Sequence, residues 1–183
     1  AIPEDRLHEG VSPSPAVEDN LALMAYASAP LSSGPFLRRP RIRERAVDLI
    51  ERFDIRTPGP TTPTRLLSGG TVQKVLLARE LSSDPKVLVA ASPTRGLDVG
   101  AIETVRGVLV EAANRGVGVL LVSEDLDEVL SLSDRVAVIF EGRILAVIDR
   151  ADADLETIGL LMGGDTSRLA SVDTTDRGGV GAG

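Results

Sequence analysis

The chain has no cysteine, no tryptophan and one histidine, and its aromatic residues number four: Tyr26, Phe36, Phe53 and Phe140. Without cysteine there are no disulfides and no thiolate metal sites. With aromatics at 2% of residues, stacking on nucleic-acid bases has almost nothing to work with. The core must then be built from Leu, Val, Ile and Ala. An apolar fraction of 43% over 183 residues suffices for one packed domain and is short for two. Long apolar runs are missing too, since stretches such as residues 117–122 fall far below what a membrane-crossing helix needs. Positive charge is in deficit, with 20 basic against 27 acidic residues and a net charge of −7. That balance weighs against nonspecific binding to nucleic acid. The chain opens at Ala1-Ile2-Pro3 without an initiator methionine, and the expectation is that further residues lie upstream.

Proline and glycine divide what is there. Residues 1–66 read as irregular and helical. In "VSPSPAVEDNLALMAY", Val17, Leu21 and Met24 share a helical face and are expected in the core. A Pro/Ser/Gly loop, "APLSSGPFLRRP", precedes "RIRERAVDLIERFDI", where Ile42, Ala46, Leu49, Ile50 and Phe53 recur at helical spacing. "RTPGPTTPT" holds three prolines in nine residues and reads as an extended connector. From residue 67 the pattern changes. A helix opening at Ser68-Gly69-Gly70 carries Val72, Val75, Leu76 and Leu81 and is followed by a strand, Val87–Ala91. A helix over Val99–Asn114 turns Ile102, Val105, Leu109 and Ala112 inward, and residues 118–123 form a second strand that reads as buried. Asp125 and Glu128 have capping-box spacing. "RVAVIFEGRILAVI" reads as a hairpin turning at Glu141-Gly142. Strands alternating with helices mark an α/β sheet with parallel neighbours. Residues 164–183 lack an apolar period and are expected to be a disordered tail.

The chemistry gathers in "LLSGGTVQK", residues 66–74. Ser68 can cap a helix, and Gly69 and Gly70 leave backbone N–H groups open to close approach. Those amides and the helix dipole both favour phosphate. Taken alone, Ser-Gly-Gly before a helix is more often a cap and a turn than a phosphate site. It is followed by an apolar strand leading into "PTRGLD", then by a strand ending at "SEDLDE".

This ordered set resembles the ATP-binding subunits of ABC transporters. Within them, "IPEDRLHEG", "LSGG" with "QKVLLAREL", "PTRGLDVGAIE" and "DRVAVIFEGRI" look like the second nucleotide-binding half of fused ATPases serving nucleoside or simple-sugar uptake. The resemblance spans residues 1–163. It implies that residues 68–71 are the signature motif, that Val87–Ala91 and Ser92 are the Walker B strand and its end, and that Asp98 lies in the D-loop. It places Glu124 at the switch position. The departures are coherent. Ala91 stands for the magnesium-supporting Asp, Ser92 for the Glu that polarises water, and Glu124 for the usual His. Losing a general base alone costs about 10²–10⁴-fold in rate. The Gly-rich Walker A loop ending in Lys-Ser/Thr is absent from the chain and is expected upstream. Thr71 stands where Gln or Asn is usual, and Val72 where Gln is.

The resulting expectation is an α/β, P-loop NTPase-type ABC ATPase domain truncated before its Walker A portion. Residues 1–65 would be a helical subdomain and connector, 66–163 the C-terminal part of the catalytic core, and 164–183 the tail. Ser68, Gly69, Gly70, Thr71 and Asp98 would bind nucleotide held by a partner domain with intact Walker motifs. Ala91, Ser92 and Glu124 would be a degenerate catalytic face. ATP and Mg²⁺ would belong to the assembled composite site. The further partners would be transmembrane permease subunits and, indirectly, a solute-binding protein, with no nucleic acid. The protein would lie at the cytoplasmic face of the plasma membrane, peripherally. The rival reading is a pseudo-ATPase that acts as an interaction or regulatory module. An ABC ATPase of DNA maintenance or translation is a third, disfavoured because such proteins usually keep the acids missing at 91 and 92. Arg38, Arg39, Arg41 and Arg43 form a basic patch, read as a solvated face or as a contact for a membrane partner. His8 reads as exposed, and Asp125, Asp127 and Glu128 as helix N-terminal charges and not metal ligands.

Overall fold

Punctuation by proline and small polar residues keeps the first elements of the chain short. The computed structural model describes residues 1–27 and 29–167, which fall into two units, Ala1–Val122 and Ser123–Gly183. In the first unit Asp5 caps a π-helical turn, Arg6–Gly10. Helix α1, Val17–Ala22, follows and is only six residues long. Val17 and Leu21 are buried as expected. Met24 is instead 57% exposed, because the helix ends before the third apolar position comes round. Asn20 is fully buried inside α1 and holds three segments together. Its Oδ1 accepts the Ser12 amide at 2.8 Å, while its Nδ2 donates to the Ser12 carbonyl at 2.8 Å and to Thr64 Oγ1 at 2.9 Å.

The Pro/Ser/Gly loop contains a small antiparallel hairpin, β1 (Ser32–Ser33) with β2 (Phe36–Leu37). Strands of two residues show no alternation, which is why the sequence pattern conceals them. Helix α2, Arg39–Arg52, starts two residues earlier than its apolar period suggests, with Pro40 in the first turn, where a missing N–H removes no helical bond. It packs Ile42 with Ala22 and Leu31 in a small core. Its arginines are not an unpaired patch. Arg43 grips Glu18 through two bonds of 2.9 and 3.1 Å, Arg39 pairs with Asp19, and Arg41 with Glu44 at 2.7 Å.

Helix α3, Gly69–Leu81, is the axle of this unit. Nine of its residues, from Thr71 to Val72 and Gln73 and from Val75 to Glu80, are buried, and α1 and α4 both pack on it. Strand β3, Val87–Ala91, pairs in parallel with β4, Gly118–Val122, across helix α4, Val99–Asn114, which buries Val105, Leu109 and Ala112. On its other side β3 receives Ile2, whose amide donates to the Val89 carbonyl at 2.8 Å and whose carbonyl accepts the Ala91 amide at 2.9 Å. The expectation of a buried β4 fails. Leu120 is 57% and Val122 51% exposed, and among the described residues no strand pairs with its outer edge. In β3, Leu88 and Ala90 are buried while Val87 and Val89 are exposed, so only one face of the pair is covered.

The second unit holds helix α5 (Leu126–Leu132), strands β5 (Arg135–Phe140) and β6 (Arg143–Asp149), and helix α6 (Leu155–Met162). The hairpin turns at Glu141 and Gly142, with φ of 45° and 75°, the two left-handed residues a tight right-twisted hairpin needs. Val136, Val138, Ala146, Ile148, Ile158 and Leu161 form its core. These strands make an antiparallel sheet of their own. Of the expected tail, residues 164–167 are described: a Cβ on Gly164 would stand 2.7 Å from the Phe140 ring. Residues 168–183 lie outside the described residues. No described helix is long and apolar enough to cross a membrane.

Asn20→Ala removes the buried amide that ties α1 to Ser12 and, through a buried bond, to Thr64 Oγ1. It should lower the unfolding free energy by about 1–3 kcal/mol, read from urea denaturation followed by circular dichroism.

Candidate functional site

Two helix N-termini meet in the first unit. Ser68 caps α3, its Oγ accepting the Thr71 amide at 3.4 Å and sharing a 2.9 Å hydrogen bond with Thr71 Oγ1. Gly69 and Gly70 form the first turn, where amides have no helical acceptor. Asp98 caps α4, its Oδ1 accepting the Ala101 amide at 2.9 Å. A Cβ on Gly70 would stand 2.9 Å from Ala101 Cβ and 4.0 Å from Asp98 Oδ2. The glycine therefore lets the two capped ends touch. Ser68, Gly69, Gly70, Thr71 and Asp98, separated by almost thirty residues of chain, form one patch of first-turn amides, hydroxyls and a carboxylate. Leu66 and Val99, exposed at 63% and 77%, flank it in sequence. Within this patch Thr71 is buried and its hydroxyl is taken by Ser68, and Val72 is fully buried. Neither side chain reaches out as a Gln would.

The residues at the end of β3 carry no acid. Ser92 has φ of 44°, donates its amide to the Val122 carbonyl at 2.7 Å and accepts the Arg95 amide at 3.1 Å. Alanine offers no ligand atom, and a lone serine hydroxyl is neither a base at neutral pH nor a hard anionic ligand. Residues 91 and 92 thus do not fit Mg²⁺. Among the described residues no group of three His, Cys, Asp or Glu could hold a metal ion. Glu124 is exposed and belongs to the second unit. Asp125 is the N-cap of α5, accepting the amides of Asp127 and Glu128 at 3.0 and 3.2 Å, in line with its reading as a cap. His8 shares a 2.8 Å hydrogen bond with Asp5 on an exposed turn.

Two residues near the patch escape a reading of local sequence, because their partners are distant. Arg6 donates from a terminal guanidinium nitrogen to the Arg95 carbonyl at 2.9 Å. Lys74, on α3, donates to the Asp54 carbonyl at 2.9 Å and to its carboxylate at 2.8 Å. Asp54 has φ of 48° just past the end of α2, so this pair ties α3 to the turn that leaves α2. The Lys74 hydrogen bond and charge hold the Asp54 carboxyl below its ordinary range.

The described fold is that of part of an ABC ATPase cassette, the P-loop NTPase architecture. It superimposes with a TM-score of 0.64 on the ATP-binding cassette MJ0796, solved as a dimer in a post-hydrolysis state bound to ADP and Pi. The sequences are 22% identical there, and the match covers 76% of this chain and 59% of that one. It also matches cbiO1 from Clostridium perfringens, part of the ABC transporter complex cbiONQ, at a TM-score of 0.59 and 26% identity over 85% of this chain and 58% of that one. In sequence the chain is a homologue of the ABC import ATP-binding proteins for nucleosides and sugars. It is 43% identical over 169 residues to a guanosine import ATP-binding protein of Bacillus subtilis, covering 92% of this chain and 33% of the relative. It is 42% identical over 182 residues to a glucose import ATP-binding protein of Haloferax volcanii, covering 97% of this chain and 33% of the relative. The chain thus spans about a third of the length of these relatives. No protein-family profile matches it.

Gly70→Ala puts a methyl where Ala101 Cβ already stands and should destabilise the first unit by about 1–3 kcal/mol, while adding Ala101→Gly should restore most of the loss; denaturant unfolding of both variants checks this. Because the folded Asp54 carboxyl is held low, the pair's contribution should be complete above the unfolded carboxylate pKa. It should fade as pH falls through the lowered folded value. A carboxyl-carbon NMR titration should find Asp54 titrating below the ordinary range, and Lys74→Met should return it there.

Proposed function

We propose that this chain is part of the ATP-binding subunit of an ABC importer and that it presents residues 68–70 and Asp98 to ATP bound by a partner cassette. The observation that carries the reading is the seating of Gly70 against Ala101 beside Asp98. It makes one surface out of a capped, glycine-opened helix end and a capping carboxylate, with apolar side chains at Leu66 and Val99 beside them in sequence. The donor set of that surface, amides at the positive end of a helix with a serine hydroxyl, suits a terminal phosphate. The end of β3 suits nothing of the kind, lacking both acids. One chain that keeps the outward patch and lacks the hydrolytic acids is a component of someone else's site. The dimeric form and the ADP and Pi of the solved cassette support the same reading. The names of the relatives support uptake of a nucleoside or a simple sugar.

In this reading ATP and Mg²⁺ are held by the partner cassette, and this chain's own residues supply neither a metal ligand nor a general base. Residues 1–65 are the helical subdomain turned toward transmembrane permease subunits, with a solute-binding protein coupled through them. Residues 66–163 continue the catalytic core, and the subunit works peripherally on the cytoplasmic face of the membrane.

Titration calorimetry of the chain with Mg-ATP should give no measurable binding. Mixing with a cassette that carries intact Walker A and Walker B motifs, taken from one of the relatives, should raise that cassette's ATP turnover. Micromolar binding by the chain alone overturns the reading. Unchanged turnover on mixing, with a stable complex between the two, favours the interaction-module reading, for which the missing acids are the specific support.

A further inference from the structure

The segment at residues 2–6 runs beside β3 and on to the turn that follows it. Ile2 pairs with β3 through two backbone bonds, Glu4 pairs with the Arg95 side chain, and Arg6 donates to the Arg95 carbonyl at 2.9 Å. The Arg6 guanidinium also lies over two glycines. Its Nε and a terminal nitrogen are each 3.7 Å from where a Cβ on Gly69 would stand, and that terminal nitrogen is 3.4 Å from the corresponding point on Gly96. Gly96 has φ of 67°, a left-handed turn. One flat side chain therefore bonds to the turn that leads to Asp98 and fills the space beside the first residue of α3 that a side chain there would take.

We propose that Arg6 is a positioning residue that straps the Ser68-Gly69 turn to the turn at residues 94–96, so that the amides of residues 69–70 and the Asp98 carboxylate keep a fixed spacing. This rests on the reading that the two together meet a nucleotide held by a partner cassette. The contact does not serve the helix itself, since a cation at a helix N-terminus opposes the dipole. Its geometry needs a guanidinium: one N–H reaches a carbonyl while the rest of the plane covers Gly69. A lysine ammonium, a point charge on a flexible stem, can do the first but not the second. Gly70 on Ala101 fixes the two helices at one point, and Arg6 supplies a second at the turn of residues 95–96. Two points define an orientation where one leaves a pivot.

The test uses Arg6→Gln and Arg6→Lys in the whole chain, with circular dichroism to establish folding. Amide hydrogen exchange should quicken about tenfold at Thr71, Val72, Arg95 and Leu97 in both variants and stay unchanged at the β5–β6 hairpin. In the mixing assay with an intact cassette, both variants should lower the stimulated kcat about tenfold while the KM for ATP stays within about twofold. Exchange unchanged at those four amides overturns the strap, and so does full retention of kcat by the lysine variant, which would assign the effect to charge. Faster exchange with undiminished stimulation overturns its functional role. If the unaltered chain gives no stimulation, the composite-site reading fails, and the exchange result alone decides whether Arg6 is a strap.

Discussion

The approach of Gly70 to Ala101 is the constraint on which the candidate site depends. The cap bond at Ser68 is 3.4 Å long, near the limit of a useful hydrogen bond, so the direction of the first turn of α3 is not set by its own cap. It is set by packing. A missing side chain at 70 and a methyl at 101 let two helix ends meet, and the buried length of α3 then carries that alignment back to α1 and the connector at Thr64. Lys74 bonded to Asp54 fixes the same helix to the end of α2. Helix α3 is held along its length, and its first-turn amides inherit that rigidity.

Much of the fold could be read from the pattern of residues. The strand at Val87–Ala91, helix α4 and the Glu141-Gly142 turn follow from runs of apolar residues and from glycine, signals that act over a few positions. What escaped depends on distance. Met24 lies on the apolar face of an idealised helix, but no periodicity reveals that α1 stops at Ala22. Leu120 and Val122 look like core because hydrophobicity along a strand does not tell how many faces are covered. The exchange of bonds between Ile2 and β3 joins residues almost ninety positions apart, with nothing local to announce it.

The candidate site divides along the same line. Ser68, Gly69, Gly70 and Asp98 were legible because caps and glycines before helices have a local chemistry, and the fold brings them together. The absence of acids at Ala91 and Ser92 is a matter of residue identity and needs no structure. Thr71 was expected to face nucleotide, yet its hydroxyl turns back to Ser68, a choice that only the cap geometry reveals. Arg6 was invisible in sequence because a guanidinium has meaning only in terms of what it covers, here two glycines far along the chain.

The backbone at Ser92 shows what the end of β3 does in place of carrying acids. A residue with φ of 44° lies in the left-handed region, where any Cβ, that of serine as much as that of a longer side chain, costs of the order of 1 kcal/mol. Its amide and carbonyl are both engaged, by Val122 and Arg95, so the turn has settled around that conformation. Placing glutamate at 92 would meet the same backbone cost that serine already bears, and Ala91 would still offer nothing to a cation. Both positions would have to change together before the end of β3 could offer a cation ligand and a base, so this end of the strand acts as a backbone turn and not as a source of charge.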